Sequence, residues 1–239
     1  MSARDDRTAT VAWMRQGTGY FRTRLDTLTD ADLRDPSRLP GWSRAHVIGH
    51  IARNAEALGR LAHWARTGIE TPMYADREQR AADIARSAAQ PAAVLRSEAV
   101  ATAELLDQAL DNLEETGWSA TVRSAMGRQI PATDIPWLRV REVWLHAIDL
   151  DAGARFADLP PGLIDTLLTD VVAALSVKPD CPPVTLAPTD RENEWRLGSA
   201  AAEGVRILTG PAAELAGWVT GRIAGSAFGD GIPELPTWL

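Results

Sequence analysis

The sequence predicts an α+β protein, with a four-helix bundle over residues 1–154 and a small α/β domain over residues 155–239. Three observations carry this reading. Before residue 154, apolar residues recur at helical spacing through four long stretches joined by polar connections. After about residue 155 the pattern changes to short apolar runs bounded by turn residues, with a helical stretch on each side. The chain, at 239 residues, is long enough for one large core or two smaller ones.

The first helix is expected over Asp6 to Leu28, where Val11, Met14, Tyr20, Phe21, Leu25 and Leu28 form a stripe. Thr29-Asp30 and the segment from Asp35-Pro36 to Pro40-Gly41 break it. Ser43 is a good N-cap for a second helix, which runs to Thr67-Gly68 with Val47, Ile51, Asn54, Leu58, Leu61 and Ala65 inward. A loop, Ile69 to Tyr74, leads to a short helical piece from Asp76 to about Ser87. Pro91 then suits the first turn of a third long helix, expected to run through Leu95, Leu106 and Leu113 and to end at Gly117. Trp118 to Thr133 reads as a loop or short hairpin. The fourth long helix begins at Pro136 and stops at Asp151-Ala152-Gly153. The connections are long enough for crossovers, so simple up-and-down topology does not follow. Beyond it come a helix from Leu159 to Val177, strands near Val184–Leu186, Glu194–Leu197 and Val205–Leu208, and a last helix opened by Pro211 and ending near Gly221.

Composition narrows the function classes. A net charge of −7 without any basic cluster argues against general nucleic-acid affinity. Cys181 is the single cysteine, which excludes an internal disulfide and an all-cysteine metal cage. It lies in Pro-Asp-Cys-Pro-Pro with no histidine nearby in sequence, as an inert thiol would. The polar start, Met-Ser-Ala-Arg-Asp-Asp, does not read as a secretion signal. No apolar run approaches the ~20 residues needed to span a bilayer. The expectation is a cytoplasmic protein, acting as a monomer.

The fourth helix holds the chemistry. Trp137, Leu138, Val140, Val143, Trp144, Leu145, Ala147, Ile148 and Leu150 cover most of its circumference, so it must be buried. Glu142, His146 and Asp149 nonetheless share one narrow face, at i, i+4 and i+7. An unpaired buried carboxylate is costly, so that face should look onto a metal, a polar cavity or an internal ion pair. Helices of a bundle bring metal ligands together by projecting them inward. The second helix offers His46 and His50, of which His50 lies beside the inner stripe and His46 near its edge. His50, Glu142 and His146 would leave one position open, as in a catalytic zinc site. His63 lies nearly four turns beyond His50, about 20 Å along the axis, too far to join them. Asp149 is better read as a carboxylate bonded at the cavity wall than as a ligand.

Three motifs also carry a resemblance: the run Gly41-Trp42-Ser43-Arg44-Ala45-His46-Val47-Ile48-Gly49-His50, the loop Thr71-Pro72-Met73-Tyr74, and the stretch Arg141-Glu142-Val143-Trp144-Leu145-His146-Ala147-Ile148-Asp149-Leu150. Together with the closing Pro233-Glu234-Leu235-Pro236-Thr237-Trp238-Leu239, they resemble the mycothiol-dependent maleylpyruvate isomerase family, whose N-terminal part is a DinB-like helical bundle. The likeness covers essentially the whole chain and is diffuse between Val171 and Glu203. The metal motifs mark the broad superfamily; the Thr-Pro-Met-Tyr loop and the Arg-Glu-Val-Trp context point to the isomerase.

The resemblance implies zinc held by His50, Glu142 and His146, and mycothiol, a low-molecular-weight thiol, as cosubstrate. It implies a cis–trans isomerisation of maleylpyruvate, a small diacid, to fumarylpyruvate in gentisate breakdown. Arg80, just after the Thr-Pro-Met-Tyr loop, and Arg222, at the end of the last helix, are the candidates for holding the substrate carboxylates, reached from both domains. Two other readings are a mycothiol S-transferase acting on electrophiles, and a non-enzymatic carrier of an apolar ligand in the C-terminal part.

Overall fold

Polar caps fix where the helices begin. In the computed structural model, which describes residues 3–199 and 205–238, Asp6 caps α1 (Arg7–Asp26) by accepting from the backbone N–H groups of Thr8 and Ala9. Met1, Ser2 and Leu239, the outermost residues of the two terminal segments read above, lie outside the described residues. Ser43 caps α2 (Arg44–Thr67), and Gly68, at φ 73°, closes it in the left-handed conformation that suits glycine. Asp76 caps α3 (Arg77–Ala88) through Gln79. Pro91 stands just before α4 (Ala92–Asp111), and Pro136 sits in the first turn of α6 (Ile135–Asp149).

The third long helix is shorter than expected. It stops at Asp111, because Asn112 leaves helical geometry at φ −86° and ψ 3°. Asparagine's side chain competes for backbone hydrogen bonds and favours such ends. The chain then makes a separate one-turn helix, α5 (Glu115–Trp118), which ends just past Gly117. Residues 121–131 form a hairpin, β1 (Thr121–Arg123) against β2 (Gln129–Pro131), turned at Gly127, with Val122 and Ile130 facing inward.

The chain falls into two compact units, Met1–Ala154 and Arg155–Leu239. In the first, α6 packs against both α1 and α2, and α4 packs against α2 and, more sparsely, against α1. The bundle therefore does not follow chain order, since α1 packs chiefly against α6 rather than against its sequence neighbour α2. Ile48, Ile51, Leu58 and Leu61 of α2 and Trp137, Trp144 and Ile148 of α6 are fully buried in its core. The α1–α6 approach is close: a Cβ built on Gly17 would fall 2.5 Å from Trp144 Nε1. That indole N–H donates to Trp13 O at 3.0 Å, and its ring stacks on Tyr20.

The second unit contains α7 (Pro161–Ser176), β3 (Val184–Pro188), β4 (Trp195–Leu197), β5 (Arg206–Gly210) and α8 (Ala212–Val219). The sheet runs β4-β3-β5, with β4 antiparallel and β5 parallel to the central β3. Burial follows position, as β3 is covered along its length while Ile207 on the edge strand β5 is 64% exposed. The third strand starts one residue later than read, at Arg206, because Val184, the first residue of β3, pairs with it. Cys181 lies in the loop before β3, where burial pushes its thiol up despite a backbone hydrogen bond from Gly198. Among the described residues no helix is long and apolar enough to cross a membrane.

Candidate metal centre

Because α6 lies against α2, the inward face of each helix looks at the other. His50, in the second turn of α2, and Glu142 and His146, one turn apart on α6, each offer a ligand atom within 4.8 Å of the others. His50 Nε2 lies 2.7 Å and His146 Nε2 3.2 Å from the same carboxylate oxygen, Glu142 Oε2. The two imidazoles meet edge to face, with ring centroids 4.8 Å apart. Two nitrogens and one carboxylate oxygen converging from two helices are a donor set that suits zinc.

A further layer of groups fixes the two rings. Asp149 is fully buried, and its Oδ2 lies 2.8 Å from His146 Nδ1. This contact keeps the Nδ1 proton on the carboxylate side and turns the Nε2 lone pair toward the cluster. Arg80 Nη2 lies 3.3 Å from His50 Nδ1. A guanidinium has only donors, so Nδ1 accepts and Nε2 carries the proton donated to Glu142. Trp42 meets the His50 ring edge-on at 5.6 Å. Arg80 also lies over Tyr74, which is held beside it because Arg60 clamps the carbonyl of the preceding Met73.

The charges follow from this geometry. Burial lowers the pKa of His50, against the opposing pull of Glu142. Burial works against the charge of Glu142 too, but His50 and the hydrogen bonds of both imidazoles hold its carboxyl well below the usual carboxylate range. Its side chain is 24% exposed, so water screens part of that effect. For His146 burial is outweighed by its hydrogen bonds to Asp149 and Glu142, and its pKa is raised. Tyr74 is pushed up by burial, partly offset by Arg80.

The other expected site residues fall as follows. His46 belongs to the cap of α2, its Nδ1 2.8 Å from Ser43 Oγ, and His63 is exposed far along the helix. Arg222 follows α8 in the second unit, where its Nη1 donates to Thr220 O at 2.9 Å. The sequence reading missed Arg139. This residue is 1% exposed, and its Nη1 donates at 2.8 Å to both Ile51 O and Asn54 Oδ1. Burial lowers its pKa to about 10. The available signal was spacing alone, since Arg139 stands three residues before Glu142 and seven before His146 on one helical face.

Fold and cluster together define a class of helical-bundle proteins with a candidate two-histidine, one-carboxylate metal centre. Residues 14–151 match the family model of the mycothiol maleylpyruvate isomerase N-terminal domain. The whole chain aligns with a crystal structure of a mycothiol-dependent maleylpyruvate isomerase at 31% identity and a TM-score of 0.92, covering 100% of both chains. A second crystal structure, of a histidine-to-alanine mutant of a mycothiol-dependent maleylpyruvate isomerase, aligns with a TM-score of 0.91 at the same identity and coverage. No curated protein sequence matches the chain significantly. The chain belongs to the mycothiol-dependent maleylpyruvate isomerase family.

Proposed function

We propose that this protein is a zinc- and mycothiol-dependent isomerase that converts maleylpyruvate to fumarylpyruvate in gentisate breakdown. The observation that carries the reading is the convergence of His50, Glu142 and His146 in a member of this family. These residues would hold the ion, and zinc, when bound, supplies a positive charge that lowers the pKa of a thiol brought to its open position.

The reaction needs such a thiol because a carbon–carbon double bond does not rotate thermally. Addition of the mycothiol sulfur to the conjugated alkene makes that bond single; rotation and expulsion of the thiol leave the trans product. The protein's residues prepare this step. Asp149 and Glu142 orient His146, and Arg80 and Arg222 are assigned to the substrate carboxylates and the enolate charge that develops on addition. Arg80 is linked to the cluster by tautomer. When His50 offers its Nε2 lone pair to an ion, its proton sits on Nδ1, which no longer accepts from Arg80. The guanidinium is then released from His50 and available to an anion. The proposal places the enzyme in the cytoplasm as a monomer working on small molecules, in keeping with a net charge of −7 that disfavours nucleic acid.

The test is maleylpyruvate turnover by zinc-loaded protein with and without mycothiol. Turnover that requires the thiol and returns it unconsumed is the expected result. Stoichiometric consumption of thiol would instead assign an S-transferase. His50→Ala, Glu142→Ala and His146→Ala should each abolish tight zinc binding, while His63→Ala should keep it. Full zinc retention by Glu142→Ala would reject the triad.

A further inference from the structure

On the side of the bundle where α1 and α4 touch only sparsely, the helices line a half-open cavity of about 370 Å³. Its walls are apolar, with Met14, Phe21 and Leu25 from α1 facing Ala99 and Leu106 from α4, while Arg139 of α6 lies in its lining. The size falls in the range of small-molecule pockets, roughly 300–1,000 Å³, which combine apolar walls with a few placed polar groups. Here the polar group is unusual. Arg139 is 1% exposed, its Nη1 donates to two neutral oxygens, and its Nε has no hydrogen-bond partner among the described residues. Burial works against its charge, and the Glu142 carboxylate one turn along α6 offsets that in part without bonding to it. The complement of one guanidinium with a spare donor is a single negative charge, and that of the walls is a hydrocarbon body.

We propose that this cavity is a second ligand site, distinct from the metal centre, which takes an apolar monocarboxylate with its head at Arg139 and its chain along Phe21, Leu25 and Leu106. A phosphate or other dianion would bring more charge than one guanidinium balances. At the mouth Arg15 is paired with Asp107 at 2.7 Å and with Asp111, and the exposed Arg22, 3.9 Å from Asp26, and Glu104 also stand there, so the deeply buried Arg139 is the cation removed from water. A neutral apolar molecule would fill the walls but leave Arg139 as it is.

The probe is octanoate, titrated by calorimetry into the full zinc-loaded chain, with octan-1-ol as its uncharged counterpart. The expected result is saturable one-to-one binding of octanoate, with octan-1-ol about tenfold or more weaker, the scale of a charge-assisted hydrogen bond. Ala103→Trp and Val100→Phe, each placed to plug the cavity from α4, should abolish binding while the melting temperature stays near that of the parent. His50→Ala should retain it, which separates this site from carboxylate capture at the metal. Arg139→Met should lose the preference for octanoate, and if it does not fold the octan-1-ol comparison decides the same point. Absence of saturation at millimolar octanoate, binding that survives both plugs, loss of binding in His50→Ala, or equal affinity for octan-1-ol would each overturn the proposal.

Discussion

His146 and Arg80 show how single contacts set the chemistry. His146 has a raised pKa, because Asp149 and Glu142 favour its protonated form over the opposing effect of burial. A raised folded-state pKa contributes stability that is fully present below the unfolded value and is lost as pH rises through the folded one. Metal binding has the opposite demand, since it needs the neutral ring and releases its proton. Zinc affinity should therefore weaken as pH falls through the raised His146 value, beginning above the ordinary histidine range. Asp149→Asn, which removes the carboxylate behind the ring, should cost about 10- to 100-fold in zinc affinity and move that midpoint down. Competition titrations with a chelator at several pH values measure both; an unchanged midpoint in Asp149→Asn would remove Asp149 from this role. For Arg80 the decisive substitution is Arg80→Lys, because lysine keeps the charge but not the planar fork. If Arg80 grips a substrate carboxylate, kcat/KM should fall roughly 10- to 150-fold, the worth of a charge-assisted hydrogen bond, at unchanged zinc content. A loss confined to KM would mean the contact is equal in ground state and transition state, whereas a fall in kcat means that it strengthens as the enolate forms. Less than a twofold change would leave carboxylate binding to other arginines.

The elements place those contacts by close approach. Helix α6 packs against both α1 and α2, and its approach to α1 depends on the missing side chain of Gly17, beside Trp144 Nε1 and Val143 Cγ2. Gly17→Ala would gain helix propensity, about 1 kcal/mol in a free helix, yet must push a fully buried indole. Overpacking of this kind costs about 1–3 kcal/mol, so the net change should be destabilising and should appear as a melting temperature lower by a few degrees, roughly 2–4 °C per kcal/mol at this size. Zinc affinity should fall alongside, because Val143 adjoins Glu142 on the same helix. A variant more stable than the parent would show that α1 and α6 can separate freely. The hairpin and the early end of α4 are element-scale facts of another sort. Gly127 and Pro131 marked Trp118 to Thr133 as a loop or short hairpin, and the pairing of β1 with β2 decided between the two.

At the scale of the whole molecule, the first unit carries all three cluster residues, and the second carries Cys181 and Arg222. Burial pushes the Cys181 thiol up, away from the thiolate that a nucleophile requires. With an external thiol as nucleophile, Cys181→Ser should keep near-parental turnover when mycothiol is supplied. Loss of all activity in a folded Cys181→Ser protein would place the nucleophile inside the chain. The division of labour also separates two failures. A variant of Arg222 should leave zinc content untouched, whereas a variant of His50 should not.

Much of this was legible in the sequence. Helical periodicity marked the four long helices, Ser43 and Pro91 announced two of their starts and Asp76 that of the short helix between them, and the i, i+4, i+7 spacing set Glu142, His146 and Asp149 on one face. These are local properties: a side chain's direction on a helix follows from its neighbours along the chain. What the sequence could not decide was which faces meet. The inner stripe favoured His50 over His46, but only the packing of α2 sets His50 against Glu142 and leaves His46 to cap its helix. Arg139, one of two arginines early in a largely apolar helix, became visible only when Ile51 and Asn54 came against it. The tautomer of His50 likewise depends on Arg80, thirty residues away along the chain. Contacts of this kind join residues far apart in sequence, and only the close packing of α2, α3 and α6 brings them within hydrogen-bond reach.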